Sequence, residues 1–392
     1  MTDINDIQNI SVIGAGEMGH NIAQIALMAG YHVTLADIKQ EYIEKGKKEI
    51  TNGIRKLESK GKLESAAAEV LNKLSTTTNN EEAAENADFI VEAVIEKMDI
   101  KKKVFGTLDK NAPKHCILAT NTSTMSISEI ATGTSRQDRV IGMHFFNPPI
   151  LMRLIEVIYG NKTSDESIEL AMKLGETLPC LKGDRYIAKV LKDRPGFIVN
   201  RLNAPVQIYM SWMFDKASKE GIEWRKIDAD AKGLMPMGPC ELMDYTGIDT
   251  VVHTMNYYAE TLSEDFKPGK VLTEMYKNKN LGKKTGKGFY EWPEEGKPNI
   301  DKSEKAGLFN VQNSMAIMLN EGCRILQEGV TDSYKVIDKA NMAGMNTPGP
   351  FGPGKRSYEK WASKLEDLAE KTGKDYLKPT DMMKNGEFKE YK

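Results

Sequence analysis

Ser11-Val12-Ile13-Gly14-Ala15-Gly16-Glu17-Met18-Gly19 decides how the chain is read. An apolar, β-branched run enters a Gly-x-Gly-x-x-Gly turn, and Asn21 to Ala29 continues it as a helix. Gly14 permits the tight turn, Gly16 lets a pyrophosphate approach the backbone, and Gly19 lets helix and strand pack closely. The N-terminus of the helix offers free amides and a positive dipole end to that pyrophosphate. Glycines also mark ordinary turns, so context must carry the assignment. His32-Val33-Thr34-Leu35-Ala36-Asp37 supplies it as a second strand ending in an acid. Asp37 lies where a carboxylate binds ribose hydroxyls and repels a 2′-phosphate, which points to NAD over NADP. The blander reading is an ordinary βαβ unit with a surface aspartate. Glu17 adds negative charge beside the phosphates and is expected to face solvent.

Working outward, residues 10–158 alternate short apolar runs with longer amphipathic stretches, the pattern of a parallel sheet covered by helices. Strands are expected to end near Ile13, Ala36, Val94, Thr120, Phe145 and Ile158. A charged insert, Lys39 to Thr78, fits a helical pair whose lysines form a solvated face. Asp193-Arg194-Pro195-Gly196 punctuates the chain, and from Phe197 the pattern is helical. Phe289-Tyr290-Glu291-Trp292 reads as a short extended segment, and Pro293 to Ser303 as a linker. The reading is an α/β Rossmann-type N-terminal domain followed by an all-α region. Its boundaries fall at 1–193, 194–295 and 304–392. The last two carry a weak repeat: Glu220-Gly221-Ile222, Ile227-Asp228 and Pro236-Met237-Gly238-Pro239 recur as Glu328-Gly329-Val330, Ile337-Asp338 and Pro348-Gly349-Pro350. Two duplicated helical domains are the expectation.

Composition narrows the function classes. At 40% hydrophobic and 28% charged residues, the 392-residue chain is globular, and its net charge of −2 attracts neither nucleic acid nor an anionic membrane. An anionic substrate must therefore meet a local basic patch. Met1 to Asp6 has no basic leader, and no apolar run is long enough to cross a bilayer. The four cysteines, Cys116, Cys180, Cys240 and Cys323, form no clustered motif. A cytoplasmic protein without metal is expected.

In an open α/β sheet ligands sit beyond the carboxyl ends of the strands. That rule selects Glu96 and Lys101 after one strand, Asn121-Thr122-Ser123 after the next, and His144-Phe145-Phe146-Asn147 after a third. Glu156 lies inside the apolar run Leu154-Ile155-Glu156-Val157-Ile158, where a carboxylate needs a partner. A histidine at a strand end and a buried acid on the next strand read as a base and its orienter. Removing hydride from an alcohol needs such a base, because the carbinol proton must leave as well. A lone histidine is more often structural; strand-end placement and Glu156 reverse that for His144.

These segments resemble, in order, the signatures of 3-hydroxyacyl-CoA dehydrogenases: Asn121-Thr122-Ser123, His144-Phe145-Phe146-Asn147-Pro148-Pro149, Leu154-Ile155-Glu156-Val157 and Arg194-Pro195-Gly196-Phe197-Ile198-Val199-Asn200-Arg201. Pro236-Met237-Gly238-Pro239-Cys240-Glu241-Leu242 and Gly282-Lys283-Lys284-Thr285-Gly286-Lys287-Gly288-Phe289-Tyr290 extend the likeness over residues 10–292. The resemblance implies NAD-dependent oxidation of an L-3-hydroxyacyl-CoA, or the reverse, in fatty-acid β-oxidation chemistry. His144 would be the general base, Glu156 its partner, Ser123 a contact to substrate and cofactor, and Asn200 a hold on the thioester carbonyl. It implies cofactor contacts at Gly14, Gly16, Glu17, Met18, Gly19, Asp37, Glu96, Lys101, Ser123, Asn147 and Lys284, and a CoA phosphate contact at Lys60. Lys101 and Lys284 also read as solvated lysines.

The chain departs from the single-function pattern by continuing beyond the Gly-Phe-Tyr segment. That tail is similar to the second helical domain of longer relatives, without the Phe-Ile-Val-Asn-Arg signature, and reads as structural. Fused in this way it would replace a subunit contact and give a monomer, a homodimer being the alternative. No crotonase-like hydratase segment is present. The same architecture also serves L-gulonate-type hydroxy acids, which need no CoA groove, and catalytically silent crystallin-like proteins, which would lack the His144–Glu156 pair.

Overall fold

The computed structural model describes residues 3–392; of the stretch read for a leader, Met1 and Thr2 lie outside the described residues. Two compact units form, Met1–Val199 with Gly329–Gly349, and Asn200–Glu328 with Pro350–Lys392.

The first unit runs β1 (Asn9–Ile13), α1 (Glu17–Met28), β2 (His32–Ala36), α2 (Gln40–Glu58), α3 (Ala67–Leu71), β3 (Leu74–Thr77), α4 (Asn80–Ala84), β4 (Phe89–Glu92), α5 (Met98–Asn111), β5 (Ile117–Thr120), α6 (Ile127–Ala131), β6 (Val140–Phe145), β7 (Leu154–Tyr159), α7 (Asp165–Thr177) and β8 (Tyr186–Val190). Its eight strands lie in the order β3-β2-β1-β4-β5-β6-β7-β8. Val12, Val33, Phe89, Ile117, Ile141 and Ile155 are buried in one core with helix residues such as Ile22 and Ile54. Strands covered on both faces read as nearly continuous apolar runs, which is why they were visible in the sequence. In α2 the buried positions Ile43, Ile50, Ile54 and Leu57 follow helical spacing. Its lysines, with Lys60 and Lys62 beyond it, are exposed.

Three features differ from the sequence reading. Strand β7 runs antiparallel to β6, whereas β1 to β6 are parallel throughout and β8 is parallel to β7. The link 146–153 is too short for the helical crossover a parallel pair requires. Strand β3 ends the charged insert, where a helical pair alone was expected. Leu74-Ser75-Thr76-Thr77 is a short, half-exposed edge without apolar alternation. Strand β8 follows residue 158, and its alternating Tyr186-Ile187-Ala188-Lys189-Val190 pairs with β7.

The second unit holds α8 (Val199–Glu220), which begins at the boundary, α9 (Trp224–Asp230), α10 (Pro239–Thr246), α11 (Ile248–Thr261), α12 (Lys270–Lys277) and α13 (Val311–Gln327). After α14 (Tyr334–Met345), which belongs to the first unit, come α15 (Phe351–Thr372) and α16 (Asp381–Asn385). Residues 304–392, drawn from sequence as one domain, thus divide between the units, because α14 buries Ile337, Ala340 and Gly344 with the first. The repeat has matching geometry: Gly238 has no room for a Cβ against Asp228, nor Gly349 against Asp338. Asp228 accepts hydrogen bonds from the amides of Cys240 (2.8 Å) and Glu241 (3.1 Å) at the start of α10.

A buried ion cluster ties α8 to α13 in this unit. Arg201 pairs with Glu321 and, at 2.7 Å, with Glu328; Arg324 meets Glu321 at 2.8 Å, and the Tyr376 hydroxyl donates to Glu321 at 2.9 Å. Burial pushes the Glu321 carboxyl up, but the Arg201 and Arg324 charges outweigh it and hold it below its ordinary range.

Candidate active site

The glycine turn has the shape its sequence implied. Gly14 sits at φ 105°, and a Cβ there would lie 2.5 Å from the Ala93 carbonyl oxygen. Gly19 has no room for a Cβ against the Gly14 backbone, whereas a Cβ on Gly16 would meet nothing within 4 Å. Two glycines thus serve close packing, and the third leaves its approach open. Gly16 caps α1 without a side-chain bond, so the first-turn amides of Glu17 and Met18 lack intrahelical acceptors. The Ala15 amide donates to Asp37 Oδ2 at 2.8 Å, fixing the acid at the end of β2 beside the turn.

A cavity of about 430 Å³ opens here, lined by Gly14, Ala15, Gly16, Asp37, Ile38, Lys45 and Ile95 among others. Open backbone at Gly16, amides at a helix start, an acid at the next strand end and apolar walls fit a dinucleotide. Glu17 is exposed, as expected, and lies on the cavity rim. Ile38 and Ile95, 77% and 60% exposed, were missed in the sequence. Their signal was an apolar residue just past a strand end, where turns are usually polar. Lys45, one of the insert lysines, lines the same cavity.

His144 and Glu156 face each other in register across β6 and β7, and His144 Nδ1 lies 2.7 Å from Glu156 Oε2. Both are buried. The other carboxylate oxygen, Oε1, accepts from the amides of Ile198 (3.2 Å) and Val199 (2.9 Å). With both oxygens accepting, Nδ1 carries the proton and Nε2 presents its lone pair. The turn that delivers those amides holds Gly196 at φ 76° and Phe197 at φ 53°, the latter a strained conformation for an aromatic residue. Phe197 and Phe146 pack on the imidazole with ring centroids at 5.8 and 4.6 Å. The sequence named the pair; the amide support from Ile198 and Val199 was invisible in it, because it arises from the turn's geometry.

A buried network stands behind Ser123. Glu92, at the end of β4, accepts from Thr120 Oγ1 (2.7 Å), the Val94 amide (2.7 Å) and Lys101 Nζ (2.7 Å). Lys101 also reaches Glu96 Oε2 at 3.1 Å, and Glu96 Oε1 accepts from Thr122 Oγ1 (2.9 Å) and the Ser123 amide (3.0 Å). Lys101 is therefore no solvated lysine: it is fully buried, and its ammonium is shared by two carboxylates. The Ser123 hydroxyl has no hydrogen-bond partner among the described residues. Asn121 Oδ1 accepts from the Phe145 amide at 2.9 Å and locks β5 to the residue after His144. Asp193 accepts from Ser126 Oγ (2.6 Å) and the Ser128 amide (2.8 Å), holding the start of α6. Arg185 donates to the carbonyls of Pro149 (2.9 Å) and Met152 (2.8 Å), pinning the link that follows exposed Asn147.

The remaining expected site residues are placed as follows. Lys60 is exposed just beyond α2. Lys284 pairs with Asp249 at 2.5 Å in the second unit. Desolvation raises the Asp249 carboxyl, but its bond to Lys284 contributes to a net lowering. Asn200 is the second residue of α8.

A glycine-turn cradle after β1 and an imidazole–carboxylate pair across β6 and β7 of the same sheet are the features of a nicotinamide-dependent oxidoreductase acting on a carbinol or carbonyl. Residues 9–179 match the profile of the NAD-binding domain of 3-hydroxyacyl-CoA dehydrogenase, and residues 196–292 that of its C-terminal domain. The chain is 39% identical over 301 residues to a probable 3-hydroxybutyryl-CoA dehydrogenase of Bacillus subtilis, covering 74% of this chain and 99% of that one. It is 37% identical over 297 residues to the mitochondrial hydroxyacyl-coenzyme A dehydrogenase of Sus scrofa, covering 73% and 91%. Among solved structures, 3-hydroxybutyryl-CoA dehydrogenase of Escherichia coli K12 superposes over 98% of this chain and 100% of its own, with a TM-score of 0.84 at 26% identity. The chain belongs to the 3-hydroxyacyl-CoA dehydrogenase family and is an NAD-dependent oxidoreductase of 3-hydroxyacyl-CoA substrates.

Proposed function

We propose that His144, oriented by Glu156, is the general base in the NAD-dependent oxidation of an L-3-hydroxyacyl-CoA to the 3-ketoacyl-CoA, and the general acid of the reverse reaction. The observation that carries this is the 2.7 Å His144–Glu156 bond, with the second carboxylate oxygen anchored by two amides. Nε2 takes the carbinol proton, and Glu156 steadies the imidazolium as it forms. NAD, when bound, supplies the hydride acceptor. The Ser123 hydroxyl, with its backbone fixed by Glu96, donates to the substrate oxygen, and the Asn200 amide holds the thioester carbonyl. The glycine turn, Glu17, Met18 and Asp37 hold the adenosine and pyrophosphate, and Asp37 disfavours a 2′-phosphate. Lys101 acts by holding Glu96 in place; Asn147 and Lys284 complete the cofactor contacts, and Lys60 meets the CoA phosphates.

The fused helical repeat replaces a subunit contact and makes the chain a monomer, with a homodimer as the outcome that would replace this reading. Among the described residues no helix is long and apolar enough to cross a membrane. The cysteines are free thiols, three of them buried, in keeping with a reducing cytoplasm.

The test is NADH oxidation with acetoacetyl-CoA by the wild type and H144A, with NADPH in parallel. Turnover with NADH, weak turnover with NADPH and collapse in H144A are expected. Full turnover by H144A overturns the assignment of the base. No turnover of acetoacetyl-CoA, with oxidation of L-gulonate instead, overturns the acyl-CoA assignment.

A further inference from the structure

The family's C-terminal profile ends at Trp292, short of residues 329–349. Yet this stretch of the tail lies in the same compact unit as His144. It is attached there by backbone. The Leu191 amide, one residue beyond β8, donates to the Val330 carbonyl at 2.8 Å, and the Arg153 amide donates to the Ala343 carbonyl at 3.2 Å. The second bond matters for the site, because Arg153 closes the 146–153 link that begins beside His144.

Side-chain packing reaches the same place. Gly344 in α14 faces Leu154 and Phe146: a Cβ there would lie 2.7 Å from Leu154 Cδ2 and 3.4 Å from Phe146 Cδ1. Leu154 is two residues before Glu156 in β7 and, by the period-2 rule, points to the same face of the sheet. Phe146 packs tilted against the imidazole, with ring centroids 4.6 Å apart and 54° between the ring planes. From Gly344 the contacts therefore run one step to Phe146 and a second step to His144. A close-packed contact of this kind transmits displacement, because interiors cannot absorb added volume without moving a neighbour.

We propose that α14 is a positioning element for the catalytic pair, and that Gly344 is the residue through which it acts. The tail is then part of the catalytic unit: it backs the Phe146 ring and so fixes where the imidazole stands. The lack of a side chain at Gly344 is what lets the helix approach this closely. The inference rests on His144 being the base, and the H144A arm above separates failure of that reading from failure of this one.

The test uses the full chain with acetoacetyl-CoA and NADH, comparing wild type, G344A, G344V, L154A and G344V/L154A. Each rate is normalised to folded protein by urea titration. Expected is a graded fall in kcat, small in G344A and roughly tenfold or more in G344V, since misplacing a catalytic group by about 1 Å can cost a hundredfold. The KM for NADH should hold, and the pH profile of kcat should move in G344V, which a purely structural role would not produce. Removing the Leu154 side chain should restore at least part of the loss in G344V/L154A. Wild-type kcat and pH profile per folded molecule in G344V overturn the proposal. So does a loss that L154A leaves untouched.

Discussion

Two fully buried glutamates, Glu156 in β7 and Glu321 in α13, are held in different company. Glu156 bonds one imidazole and two backbone amides. Glu321 lies among the Arg201 and Arg324 guanidiniums and the Tyr376 hydroxyl. A guanidinium keeps its proton, so Arg201 and Arg324 cannot relay one, and the Glu321 cluster holds helices together. An imidazole has a second nitrogen that can take up and return a proton, which is the capacity the proposed base needs. Burial and pairing do not by themselves mark a catalytic carboxylate; the partner's chemistry does.

The comparison can be broken at either end. The largest effect is expected from H144A, whose kcat should fall about 10³-fold, within the range for general acid–base catalysis, while fluorescence titration shows NADH still binding. Turnover within tenfold of the wild type would erase the contrast. R201M should behave in the opposite way. Leaving Glu321 short of its main partner should cost about 3–5 kcal/mol of unfolding free energy in urea, with kcat per folded molecule unchanged. The double variant R201M/E321M should recover most of that loss, as buried ion clusters replaced by apolar groups commonly do.

A smaller effect sharpens the catalytic side. S123A removes one hydroxyl donor worth about 1 kcal/mol, so kcat/KM should drop roughly fivefold with stability unaltered. An unchanged kcat/KM would remove Ser123 from the site. The smallest effect concerns acid. The folded pKa of Glu321 lies below its ordinary value of 4.5, so its stabilisation is complete above that value and is lost as pH falls through the depressed one. Urea titrations between about pH 5 and about pH 3 should show an acid-dependent loss in the wild type that is reduced in E321Q.

Much of this was legible in the sequence, for definite reasons. Strands of the parallel sheet are buried on both faces, so β1, β2, β5 and β6 ended where apolar runs ended. Gly14, Gly16 and Gly19 were placed in the turn by their spacing, and His144 and Glu156 were picked out as candidates by strand-end position and by a charge inside an apolar run. Strand β3 was not legible, being short, polar and at an edge. The antiparallel turn of β7 could have been read from the eight-residue link. The burial of Lys101 was not legible, because its partner Glu92 looks like any strand residue in one dimension. The amides of Ile198 and Val199 carry no side-chain signal at all, and the return of α14 to the sheet is a long-range contact that no local pattern encodes.

The most direct test of the central claim sets E156Q beside E321Q in the acetoacetyl-CoA assay, each rate divided by the folded fraction. The account predicts a fall of about 10² in kcat for E156Q, which removes the negative charge and leaves one acceptor oxygen for the imidazole and the two amides to compete for, and no fall for E321Q. Equal rates in the two variants, or wild-type turnover by E156Q, would contradict it.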